Sequence, residues 1–129
     1  MMELNKITEI IIGCAIEVHR ELGPGLLVST YEACLTYELT QRGLNIKKQL
    51  GLPLIYKEIK LEEGYRLDLY VEDRVVVEIK AIEAINDVHI AQTLTYLKLT
   101  GAEVALIINF NVLKLTDGLK RLIPRQKTL

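Results

Sequence analysis

Ile7, Ile10, Ile11, Cys14, Ala15 and Val18 recur at three- and four-residue steps. That period predicts an amphipathic helix over residues 3–21. Gly23-Pro24-Gly25 breaks it. Leu27, Tyr31, Cys34, Leu35 and Leu39 then mark a second helix, ended by Gly43 as a C′ residue. From Leu44 the pattern turns to strands. Residues 44–59 read as one or two strands interrupted near Gly51 and Pro53. Residues 65–71 alternate, and after the short turn Glu72-Asp73-Arg74 residues 75–80 follow as the second arm of a hairpin. Asn86 or Asp87 can cap a third helix running to Thr100 and closed by Gly101. Residues 104–110 are a continuous apolar run, as in a fully buried strand. A last short element falls around residues 119–123.

The expected order is α-α-β-β-β-β-α-β with a short final piece. A strand, a helix and a buried strand imply a crossover onto one sheet. The fold class is therefore α/β, a mixed sheet flanked by helices.

The chain has 129 residues, half of them hydrophobic, enough for a core and the size of one domain spanning 1–129. A net charge of -1 argues against a strongly basic nucleic-acid binder, but not against an enzyme that recruits cations to an acidic site. The start, Met1-Met2-Glu3-Leu4-Asn5-Lys6, is polar, and Ile10-Ile11-Ile12 is too short for a signal h-region or a membrane span. A cytoplasmic protein with no membrane partner is expected. Cys14 and Cys34 read as reduced core residues, because two lone cysteines make no zinc site.

Alternation along the hairpin puts Leu67, Leu69 and Val71 on one face, and Arg66, Asp68 and Tyr70 on the other. Across a three-residue loop, Asp68 then faces Glu78, and Arg66 faces Lys80. Like charges facing across strands repel. A bound Mg²⁺ or Mn²⁺ offsets the carboxylate pair, since hard cations are held by one or two carboxylates and keep several waters. Such an ion polarises a phosphoryl oxygen and lowers the pKa of a bound water. Lys80 can position the water or neutralise developing charge. The bland alternative, a solvated charged face, is weakened by Val75-Val76-Val77, which suggests a central strand where buried carboxylates need partners. On the third helix, Gln92 and Tyr96 are four residues apart and share a face suited to a phosphate or a metal-bound water. His89 shares that face but reads as structural.

Arg66-Leu67-Asp68-Leu69 followed by Glu78-Ile79-Lys80-Ala81 resembles the PD-(D/E)xK nuclease signature. Gln92-x-x-x-Tyr96 is similar to the QxxxY motif of that superfamily's exonuclease branch. Nearly the full length resembles the GxxExxY proteins, a PD-(D/E)xK-related family. The further matching stretches are Val18 through Leu27, Tyr31-Glu32, Gly64-Tyr65, Thr93-Leu94-Thr95, Leu97 and Asn109-Phe110-Asn111. The resemblance implies a restriction-endonuclease-like core. It implies Asp68 and Glu78 as metal ligands, with the Ile79 carbonyl a third, and Lys80 as the catalytic lysine. Gln92 and Tyr96 become groups that contact phosphate or orient the ligands. One departure stands out: three residues after Gly25 the family motif has a glutamate, and here Val28 takes its place. Glu32, one turn further, can substitute or serve a structural role.

The favoured reading is a metal-dependent nuclease hydrolysing nucleic-acid phosphodiesters, DNA above RNA. The alternative is a catalytically impaired nuclease fold used for binding or assembly, which Val28 supports. A homodimer fits either, with Leu113-Leu115 and Leu119-Leu122 as an apolar contact. Tyr37, Tyr56, Tyr65 and Tyr70 could stack on bases but more often sit at the core edge. Lys114, Lys120, Arg121, Arg125 and Lys127 form a basic region that reads first as a solvated tail.

Overall fold

The apolar stripes of the sequence become the buried faces of two helices in the computed structural model, which describes residues 2–125. Helix α1 (Leu4–Leu22) buries Ile7, Ile11, Cys14, Ala15 and Val18. Helix α2 (Val28–Gln41) buries Tyr31, Leu35 and Leu39. Tyr31 fastens the loop between them: its hydroxyl donates to the Gly23 carbonyl at 2.6 Å and accepts from the Leu26 N–H at 3.1 Å. Its ring stacks on Phe110 at 4.5 Å. Gly43 takes φ 80° just after α2, the left-handed position that a helix end favours.

Strands β1 (Ile46–Tyr56), β2 (Ile59–Val71) and β3 (Val75–Lys80), helix α3 (Asp87–Thr100), strand β4 (Val104–Asn109), a 3-10 turn (Leu115–Gly118) and strand β5 (Leu119–Leu122) complete the order. The five strands lie in sequence order in one sheet. β3 and β4 are parallel, joined by the α3 crossover, and the other pairs are antiparallel. α1 and α2 cover one face, packing on Leu69, Val71, Val75, Val77 and Ile79. α3 covers the other through Leu94, Tyr96 and Leu97, against Leu67, Val76 and Ala105. This is the restriction-endonuclease-like α/β arrangement, a mixed sheet with helices on it.

Two expectations need correction. Residues 60–64 are part of the first half of β2 rather than a gap, so one long hairpin replaces the strands interrupted near Gly51 and Pro53. Pro53 costs only a register shift between Leu52 and Leu54, on a strand at the sheet edge where its missing N–H is tolerated. Leu67 does not share a face with Leu69 and Val71. It packs toward α3 and they pack toward α1 and α2. The slip coincides with an irregular step, where Lys48 pairs with Leu69 and Leu50 with Leu67 while Gln49 and Asp68 are skipped.

Candidate metal centre

β3 is flanked by β2 and β4, and Val75, Val76 and Val77 are wholly buried. The same strand carries Glu78 into the interior, where it is 4 % exposed. The hairpin turn sets what it meets. Glu72 and Asp73 both take positive φ, and Arg74 N–H donates to the Val71 carbonyl at 3.0 Å. Val71 is thereby opposite Val75, and Leu69 opposite Val77. There the ladder stops and side chains take over. Asp68 N–H donates to Glu78 Oε2 at 3.0 Å, and Ile79 N–H donates to Asp68 Oδ2 at 2.8 Å. Each carboxylate is locked by the other strand's backbone, which holds two negative groups side by side.

That arrangement is electrostatically costly. Burial first, then the Asp68 charge, push the Glu78 carboxyl up to about 7, against the pull of the Asp68 N–H and of Lys80. Tyr96 lies on α3 over the pair: burial, then the charges of Glu78 and Asp68, raise its phenol, so it remains a neutral donor. Its ring stacks on Tyr65 with centroids 5.4 Å apart. Lys80, half-buried at the end of β3, is close enough to act on Glu78. Gln92 is exposed, and its side chain makes no hydrogen bond among the described residues. So the fold brings together Asp68, Glu78 and the Ile79 backbone, with Lys80 and Tyr96 beside them, and leaves Gln92 at the rim.

Arg66 does not face Lys80. It pairs with Glu63, and Lys80 sits opposite Asn109 of β4, because the β2–β3 ladder ends before either cation. His89 belongs to the α3 cap, its Nδ1 accepting from Asn86 N–H at 3.0 Å and its own N–H bonding Asn86 Oδ1. Val28 opens α2 and is 38 % exposed, whereas Glu32 is buried and reaches Gln49. Tyr65 and Tyr70 pack against the α3-side cluster, while Tyr37 and Tyr56 are exposed. Leu115 is core and Leu119 and Leu122 pack on it or on the opposite cluster, which leaves Leu113 exposed from the expected apolar tail. Arg121 is tied to Thr8 and Asn5 of α1. Lys127 lies outside the described residues.

Sequence reasoning assigned no role to Asn109 or Gln49. Buried Asn109 holds the segment after Lys80: its Oδ1 accepts from Ile82 N–H at 3.1 Å and its Nδ2 donates to the Ile82 carbonyl at 2.9 Å. Both roles depend on contacts distant in sequence and carry no local signal.

The residues fit a hard divalent cation. Glu78 Oε1 makes no hydrogen bond among the described residues, and the raised Glu78 pKa marks a spot where positive charge is wanted. Among the described residues no three His, Cys, Asp or Glu side chains form a closed cage. An ion here would rest on Asp68, Glu78, the Ile79 carbonyl and water. Among the same residues no helix is long and apolar enough to cross a membrane.

No curated protein and no solved structure matches the chain. A family model described as the PD-(D/E)XK nuclease superfamily matches residues 5–122, a span that takes in Asp68, Glu78, Lys80, Gln92 and Tyr96. The chain belongs to the PD-(D/E)XK nuclease superfamily.

Proposed function

We propose that the protein is a Mg²⁺- or Mn²⁺-dependent nuclease that hydrolyses nucleic-acid phosphodiester bonds, DNA in preference to RNA. The observation that carries this is the pairing of half-buried Asp68 with buried Glu78, interlocked through backbone bonds and short of positive charge. Asp68, Glu78 and the Ile79 carbonyl would hold the ion. Bound there, a divalent cation supplies Lewis-acid polarisation of a phosphoryl oxygen and a water of lowered pKa. The chain's own groups do the rest. Lys80 presents an ammonium where negative charge develops on the phosphate, and Tyr96 offers a neutral O–H donor. Gln92, one helical turn before Tyr96 and open to solvent, is placed to meet the backbone of an incoming strand. Asn109 keeps the segment after Lys80 in position.

The finer assignment to the GxxExxY group belongs to the same proposal, as do residues 1–129 forming one domain, a cytoplasmic location and a homodimer. Glu32 favours retained activity over the impaired reading suggested by Val28. It places a buried carboxylate one turn beyond Val28, linked through Gln49 to Asp68.

The test is cleavage of labelled single- and double-stranded DNA and RNA with Mn²⁺, Mg²⁺ or chelator. Cleavage should require the ion, and Lys80→Ala should slow it by about 10² to 10³. Activity in chelator, or a Lys80→Ala variant as fast as the parent, would refute the proposal.

A further inference from the structure

One polar side chain at this site has a conformation and a set of partners that the nuclease reading leaves unexplained. Gln49 lies in β1 with φ 45°, in the left-handed region that a non-glycine residue seldom occupies within a strand. The β1–β2 ladder skips the Gln49–Asp68 position. A strand selected for pairing alone would keep both the regular backbone and the ladder. Here they are given up for a placement. The Gln49 amide nitrogen donates to Glu32 Oε1 at 2.6 Å and approaches Asp68 Oδ1 at 3.4 Å.

An amide NH₂ has two N–H bonds, so one group can serve two carboxylates. Glu32 comes from α2 and Asp68 from β2, so the amide links two elements. Glu32 is buried, and a buried carboxylate needs a partner. A lysine or arginine at this position would also satisfy it. A cation would, however, neutralise the pair and repel a divalent ion. A neutral amide orients the carboxylates without cancelling their charge. Strained backbone of this kind persists where the surroundings over-determine it, most often beside functional groups.

We infer that Gln49 is a positioning residue of the metal centre, tethering Asp68 to the buried Glu32 so that the Asp68 carboxylate is presented to a divalent cation. The inference rests on the reading of Asp68 and Glu78 as ligands. Its consequence is that the ion's affinity is set partly from α2, through a residue that touches neither Glu78 nor substrate.

The test is calorimetric Mn²⁺ binding by the full chain, alongside heat unfolding without metal. The variants are Gln49→Leu, Gln49→Gly, Glu32→Ala, the double variant Glu32→Ala/Gln49→Leu, and Asp68→Ala. Gln49→Leu and Gln49→Gly should each weaken Mn²⁺ binding about 10- to 100-fold, the usual effect of removing a group that orients a ligand. Gln49→Gly should unfold above Gln49→Leu, because both leave Glu32 without its amide partner but only glycine accepts a left-handed φ freely. A merely structural glutamine would lose stability in both variants and keep the parent's Mn²⁺ affinity. With Glu32 already removed, Gln49→Leu should cost less than in the parent. Parental affinity in both Gln49 variants, with binding abolished by Asp68→Ala, would overturn the inference and leave the metal site standing. No binding by the parent, or binding that survives Asp68→Ala, would overturn the metal site and this inference with it.

Discussion

Glu78 carries two conflicting demands. As a buried carboxylate next to Asp68 it destabilises the metal-free fold once ionised, and ionised it is what an ion would need. Its pKa of about 7 lies above the ordinary 4.5. Between those values the folded chain binds more protons than the unfolded one, so stability falls as pH rises from about 4.5 to 7. The loss is on the order of 3 kcal/mol. Glu78→Gln keeps an acceptor for the Asp68 N–H and removes the charge. It should raise the metal-free unfolding midpoint at pH 8, change it little at pH 4, and abolish Mn²⁺ binding. Denaturation at the two pH values checks this; an unchanged midpoint at pH 8 would show that the burial cost is absent. The juxtaposition of Asp68 and Glu78 was legible from their spacing, because a three-residue turn between two strands is a local rule. Gln49 was not, since its meaning lies in partners 17 and 19 residues away.

At the scale of elements, α3 shows what local sequence specifies well. Asn86, one of the two caps the sequence offers, starts it, and Gly101 ends it in the left-handed conformation, as its position after the periodic run foretells. Asn86→Ala should cost about 1 kcal/mol in chemical denaturation. The same change also removes the partner that fixes His89, but it should leave Mn²⁺ affinity unchanged, because the cap lies at the end of α3 remote from Tyr96. A loss of affinity would place His89 at the metal site instead. The β1–β2 hairpin shows where local rules run out. Gly51 and Pro53 signal breaks, yet pairing along the whole hairpin overrides them. The face change between Leu67 and Leu69 was likewise hidden: alternation assumes a regular ladder, and the irregular step is set jointly by two strands.

Across the whole molecule, the sheet supplies a rigid frame and the centre sits where β2 and β3 cease to pair. Helices from both faces reach it, α3 with Tyr96 and α2 with Glu32 through Gln49. A bound ion stabilises only the fold that presents both carboxylates, so Mn²⁺ should raise the unfolding midpoint, and more at pH 8 than at pH 6. The proton on Glu78 must leave for the ion to bind, which makes affinity pH-dependent. The measurement that bears most directly on the account is therefore a calorimetric Mn²⁺ titration of the intact chain at pH 6 and pH 8, with Asp68→Ala beside it. With Glu78 titrating near 7, binding should tighten about 10-fold from pH 6 to pH 8 and vanish in Asp68→Ala. No binding at pH 8, or equal binding by Asp68→Ala, would contradict a metal centre on these two carboxylates.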